Sequence, residues 1–136
     1  MERVRERVEI ARKALSTLRE LTDKSDELSL VERDAAIQRF EYTFETAWKA
    51  AQLFLAEIEG VSVNSPKSVV RASWQSELFD ETISKLALQM CDVRNMTVHT
   101  YNEKIAMTIY HQLKDYVKIF EMWLSAIEEK VKKTIK

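Results

Sequence analysis

The sequence predicts an all-α fold, an up-and-down antiparallel bundle of four long helices plus one short helix, forming a single domain over residues 1–136. Three observations carry that expectation. Apolar residues recur at steps of three and four along four separate stretches, the spacing that lines one face of a helix. Only one Gly and one Pro occur, so the residues that hairpins and tight turns require are almost missing. Capping residues stand where the apolar stretches begin, at Ser29, Ser65 and Asp80.

A first helix covers about residues 2 to 22, with Val4, Val8, Ala11, Leu15 and Leu18 on one face. The polar run Thr22-Asp23-Lys24-Ser25-Asp26 then favours a turn, because these side chains compete for backbone hydrogen bonds. Ser29 with Glu32 three residues on reads as a capping box. It opens the second and longest helix, about 30 to 59, on which Ile37, Phe40, Phe44, Ala47, Ala51, Phe54 and Ile58 keep helical spacing until Gly60. Residues 61 to 65 form a connection, and Pro66 suits the first turn of a short third helix reaching about Glu77, with Ser65 as its N-cap.

Asp80 caps a fourth helix whose stripe reads Ile83, Ala87, Met90 and then Arg94. A fifth helix from about Asn102 carries Ile105, Ile109, Leu113, Tyr116, Phe120, Trp123 and Ile127, then frays into the basic tail Lys130 to Lys136. Trp48, Trp74 and Trp123 are all candidates for the core, with Trp74 on the short helix equally suited to an interface.

The 21 basic and 22 acidic residues nearly cancel, so no global attraction to nucleic acid or anionic membrane exists. Few basic residues lie near Arg94 in the sequence, and no RNA track is visible there. Near-neutrality also removes self-repulsion, which favours association with a second copy or another protein. Cys91 stands alone, and the charged start of the chain lacks the apolar core of a signal peptide, so a reducing cytoplasm is expected. No apolar run approaches the ~20 residues that cross a bilayer.

An arginine ending an apolar stripe requires a paired carboxylate, a cleft or an interface. Glu41 and Glu45 on the second helix are the candidate partners, with Asp92 a third. His99 lies five residues beyond Arg94, and five steps of about 100° cannot bring both to one helical face, so the helix is expected to loosen near Thr97. A structural reading pairs Arg94 with a carboxylate, lets His99 cap the helix and leaves Tyr101 a half-buried phenol. His111, and Cys91 with His99, offer too few ligands for zinc. No P-loop, dinucleotide fingerprint or serine-nucleophile elbow is present, so neither a cofactor nor a metal is expected, and any ATP site belongs to a partner.

The run Arg94-Asn95-Met96-Thr97-Val98-His99-Thr100-Tyr101 resembles the R-x4-H-x-Y motif of HEPN domains, above all their HepT-type toxin branch. Asn102-Glu103 continues the same ending. Upstream, residues 33 to 42, Trp48-Lys49 and Ser65-Pro66 are similar to the signature of nucleotidyltransferase substrate-binding proteins of the same superfamily. The resemblance extends from about residue 30 to 110.

That resemblance implies a partner of a minimal nucleotidyltransferase acting as a toxin-like, metal-independent endoribonuclease, in which the ribose 2′-OH attacks the adjacent phosphate. Arg94 would bind the phosphate, His99 would move the proton and Asn95 would orient either group. A homodimer would supply a second histidine, and Tyr101 would accept AMP from the nucleotidyltransferase and block RNA. Two other roles fit the same residues: a non-catalytic substrate-binding subunit of the nucleotidyltransferase, and a helical adaptor whose Arg94 and His99 only hold a dimer together.

Overall fold

The computed structural model describes residues 2–134. Its elements are α1 (Glu2–Thr22), α2 (Leu30–Glu57), α3 (Pro66–Gln75), α4 (Glu81–Met96), a 3₁₀ turn (Thr97–His99) and α5 (Glu103–Thr134). The expected four long helices and one short helix are all present. No helix among the described residues is long and apolar enough to cross a membrane.

The starts of α2, α3, α4 and α5 are each set by a side chain that satisfies otherwise orphaned amides. The Ser29 hydroxyl accepts from the Glu32 amide at 3.2 Å while the Glu32 carboxylate accepts from the Ser29 amide at 3.0 Å. Ser65 and Ser68 form a second reciprocal pair in front of α3, with Pro66 in its first turn. Asp80 accepts from the Ile83 amide at 2.9 Å. Asn102 accepts from the amides of Lys104 and Ile105 and so opens α5.

Three helix ends differ from the sequence expectation. Helix α2 closes at Glu57, where Gly60 turns to φ +70° and the Val61 amide returns to the Leu55 carbonyl at 2.8 Å. Helix α3 closes at Gln75 because Glu77 adopts φ +63°, which sends the Glu77 amide to the Trp74 carbonyl and the Leu78 amide to the Ser73 carbonyl. Burial of Leu78 and Phe79 draws the chain into that left-handed step despite the missing glycine. At the same end of the molecule α5, with 32 residues, is the longest helix rather than α2 with 28. Its apolar face runs on to buried Val131, so the tail remains helical to Thr134; Ile135 and Lys136 lie outside the described residues.

Packing is antiparallel between chain neighbours. Arg3 near the start of α1 reaches Glu57 at the end of α2, and Arg39 donates to the Thr17 carbonyl near the end of α1. Helices α2 and α5 run the same way, with Arg33 meeting Glu103 near their starts and Lys130 meeting Glu59 beyond the end of α2. Arg12 of α1 contacts Glu121, Ser125 and Glu128, three residues on one face of α5.

Trp123, Phe40, Phe44, Phe54 and Phe120 are the largest fully buried side chains. The Phe40 ring lies 5.5 Å from Tyr116 and 6.0 Å from Phe120, centroid to centroid. A buried ring of this kind contributes roughly 1.5–3 kcal/mol by leaving water, which anchors α2 at Phe40 and Phe44. That anchoring fixes the rotation of α2 and so the direction in which Glu41 and Glu45 emerge. Of the tryptophans, Trp123 is fully buried with its indole N–H on Ser73 at 3.0 Å, Trp48 is half-buried, and Trp74 is exposed.

Candidate functional site

The apolar stripe of α4 delivers buried Ala87 and Met90 to the core and then half-buried Arg94 to the surface of the bundle. Directly after it the helix tightens into the 3₁₀ turn at Thr97, where the sequence spacing required it to loosen. Thr97 is buried and binds Arg94 twice. Arg94 Nη1 donates to Thr97 Oγ1 at 3.0 Å, and Thr97 Oγ1 donates to the Arg94 carbonyl at 2.8 Å. The hydroxyl of Thr97 therefore both closes the helix and fixes the guanidinium.

The carboxylates expected to position Arg94 stand further away. Glu41 Oε2 is 3.9 Å from Arg94 Nη1 and Glu45 Oε1 is 3.7 Å from Arg94 Nε. Both are ion-pair distances outside hydrogen-bonding reach, and Arg94 Nε is left buried without a hydrogen-bond partner. Hydrogen-bonded positioning by Glu41 or Glu45 is therefore replaced by positioning through Thr97, with the carboxylates offering only charge. The Glu45 carboxylate instead accepts the Trp48 indole N–H at 3.3 Å. Asp92 is no partner of Arg94 either: it points to α3 and pairs with Lys67 at 2.7 Å.

Arg94 and Asn95 face Ser65, Pro66 and Lys67 across an open cleft of about 310 Å³, floored by Phe44 and Cys91. The start of α3 thus faces the guanidinium, bringing together two of the segments, Arg94-Asn95 and Ser65-Pro66, that carry the family resemblance. Burial pushes the Cys91 thiol up to about 11, which keeps it neutral and unreactive in that floor.

His99 closes the turn and Tyr101 follows it, both outside this lining. Both are exposed, Tyr101 at 84%. Their side chains meet: His99 Nδ1 is 3.3 Å from the Tyr101 hydroxyl, and the rings pack edge to face with centroids 5.9 Å apart. Tyr101 is therefore not a half-buried phenol. The segment is held from behind, where the Asn102 amide donates to the His99 carbonyl at 2.9 Å. Arg33, only 5% exposed, pairs with Glu103 at the start of α5 and with Asp34.

Sequence reasoning assigned no part in the site to Thr97, Lys67 or Arg33. The signal for Thr97 was a hydroxyl three residues after the arginine, within reach of both its carbonyl and its side chain. Arg33 stands four residues before Ile37 on the buried stripe of α2, as Arg94 stands four after Met90 on its own helix. Lys67 carries no local signal, since its neighbour Asp92 comes from another helix.

Comparison with known proteins gives the same architecture. The crystal structure of a Thermus thermophilus protein has a TM-score of 0.82 at 50% sequence identity, covering 86% of this chain and 98% of that one. A tri-AMPylated HEPN toxin of Shewanella oneidensis, solved in complex with its MNT antitoxin, gives 0.74 at 15% identity over 93% of this chain and 96% of that one, a likeness of fold. A Haemophilus influenzae protein described as a probable ribonuclease HepT is 28% identical over 86 residues, so the match takes in 60% of this chain and 58% of the length of that curated relative. Residues 6–129 match the family described as nucleotidyltransferase substrate binding protein like, and the chain belongs to that family.

Proposed function

We propose that this protein is the HEPN-type partner of a minimal nucleotidyltransferase in the cytoplasm and that, when free of it, it is a toxin-like, metal-independent endoribonuclease acting as a homodimer. One observation carries the reading. Arg94 is fixed by Thr97 beside an open cleft, while His99 and Tyr101 stand exposed and bonded to each other on the adjoining turn. A guanidinium held at one nitrogen keeps other N–H groups for phosphate oxygens. An exposed imidazole contributes little to the fold and is free to exchange protons.

In this reading His99 takes the proton of a ribose 2′-OH, the oxygen attacks the adjacent phosphorus, and the bond to the 5′ oxygen breaks. The histidine of a second copy protonates that leaving oxygen. The products are a 2′,3′-cyclic phosphate and a 5′-hydroxyl. Arg94 stabilises charge on the non-bridging oxygens, and Asn95, on the same cleft wall, orients the phosphate. Glu41 and Glu45 act only by moderating the field at Arg94.

Tyr101 is the site of the off-switch. The nucleotidyltransferase joins its phenolic oxygen to the α-phosphorus of ATP, with loss of the phenolic proton and release of pyrophosphate. Its exposure leaves it open to a second enzyme, and the bound HEPN toxin of similar fold from Shewanella oneidensis carries AMP. A phosphate placed beside His99 puts negative charge where the RNA phosphate must enter.

The test is cleavage of labelled RNA without metal by the wild type and by His99→Ala, both shown to be folded. Cleavage by the wild type alone supports the reading. The family description itself favours a second one, a non-catalytic subunit that presents substrate to the nucleotidyltransferase. Absence of cleavage, with retained binding of the nucleotidyltransferase, selects that subunit role.

A further inference from the structure

The near-zero net charge hides a local concentration of cations next to the Arg94 cleft. A second open cleft, of about 290 Å³, lies between the first turns of α1, the second half of α2 and the loop before α3. Arg3, Arg7 and Lys49 line it, together with Gln52, Ser62 and Asn64, and no carboxylate belongs to its walls among the described residues. Arg3 pairs with Glu57 at 2.9 Å, whereas Arg7 and Lys49 make no ion pair among the described residues.

The two clefts are continuous in their walls. Both use α2 as the floor, through Phe44 and Glu45 in one and Lys49, Gln52 and Leu53 in the other. Both use the same connecting segment as a rim, Ser62 to Asn64 passing directly into Ser65 to Lys67. That rim is pinned, because Gln52 Nε2 donates to the Val63 carbonyl at 2.8 Å. Lys49 lies one helical turn, about 6 Å, from Glu45, the residue that flanks Arg94, so α2 brings its one cation of the second cleft to the edge of the Arg94 cleft, while Arg3 and Arg7 reach the same walls from α1.

We propose that this seam is the path of the RNA strand flanking the scissile phosphate, with Arg7 and Lys49 binding successive backbone phosphates and Arg3 joining them. The inference rests on the ribonuclease reading and adds where the substrate lies. A track of cations without aromatic stacking partners binds single-stranded RNA through its backbone and without sequence preference. Gln52 on the floor and Ser62 and Asn64 on the rim supply neutral polar groups along the same path.

The experiment uses a fluorescein-labelled single-stranded RNA of twelve nucleotides, titrated with full-length protein carrying His99→Ala so that it is not cut. Adding Arg7→Glu with Lys49→Glu is expected to weaken binding at least tenfold and to reduce the slope of log affinity against log salt by about 1.4, the loss of two single-strand phosphate contacts. A control with the same charge change, Arg5→Glu with Lys114→Glu, alters residues that line other clefts and is expected to leave binding unchanged. With His99 intact, the Arg7 and Lys49 double variant should lose cleavage of the long RNA and keep cleavage of a dinucleotide, which reaches only the Arg94 cleft. Equal affinity and slope in the double variant, or equal loss in the control, overturns the path while dinucleotide cleavage leaves the ribonuclease reading standing. If the wild type cuts neither substrate, that reading falls and the path with it.

Discussion

Arg94 Nη1 donates to the hydroxyl of Thr97 at 3.0 Å, and the same hydroxyl closes the helix by donating to the Arg94 carbonyl at 2.8 Å. The residue that aims the guanidinium is therefore the residue that ends α4. Thr97→Val keeps the shape of a buried side chain and removes both bonds, so we expect a loss of about 1 kcal/mol in stability and a fall in single-turnover RNA cleavage of at least tenfold. Thr97→Ser should restore most of the cleavage. Unchanged cleavage in the valine variant would show that Arg94 finds its position without Thr97.

Tyr101 contributes almost nothing to packing at 84% exposure. Tyr101→Phe is expected to leave the unfolding midpoint unchanged, within about 0.5 kcal/mol, and to abolish the AMP adduct formed with the partner nucleotidyltransferase and ATP. RNA cleavage should then persist in the presence of that enzyme and ATP. Intact-mass measurement reads the adduct directly, and an adduct retained on the phenylalanine variant would place the modified residue elsewhere.

Much of this architecture is legible in the sequence because its signals are local. The caps at Ser29, Ser65 and Asp80 act over three residues, and the five-residue separation of Arg94 and His99 marks the change of helix at Thr97. Side-chain partnerships between helices are not legible in that way. Asp92 stands two residues from Arg94 in the chain yet pairs with Lys67, because α4 turns that face toward α3. Glu41 and Glu45 do approach Arg94, but the depth at which Phe40 and Phe44 seat α2 leaves them 3.9 and 3.7 Å away. The cationic seam joins Arg3 and Arg7 to Lys49 only after α1 has folded back along α2.

Burial pushes the Cys91 thiol up to about 11 from an ordinary value of 9.0. At pH 8 its thiolate fraction should be on the order of 100-fold below that of a free cysteine, and alkylation by iodoacetamide correspondingly slow in native protein and fast in urea. The sign for stability follows from the raised folded value: the contribution is complete below pH 9, where neither state is ionised, and is lost as pH rises toward 11 because the unfolded thiol ionises first. Fast native alkylation at pH 8 would mean that the thiol is open to solvent.

Glu77 occupies the left-handed position that ends α3, at φ +63°. A side chain there costs about 1 kcal/mol relative to glycine, offset in part by the greater freedom glycine has when unfolded. Glu77→Gly is therefore expected to raise the unfolding free energy by up to about 1 kcal/mol, read by urea denaturation, and Glu77→Val to lower it. A destabilised glycine variant would show that the exposed Glu77 side chain supports the turn in some other way.

Arg12 grips Glu121, Ser125 and Glu128, acceptors spread over two turns of α5. A helix advanced by one residue moves about 1.5 Å and rotates by about 100°, so no neighbouring setting of α1 against α5 offers Arg12 the same three acceptors. The clasp works as an indexing pin with one seat. Since α5 begins at Glu103, immediately beyond the His99 and Tyr101 segment, a pin set far down the helix also decides the height at which that segment is presented at the opposite end of the rod.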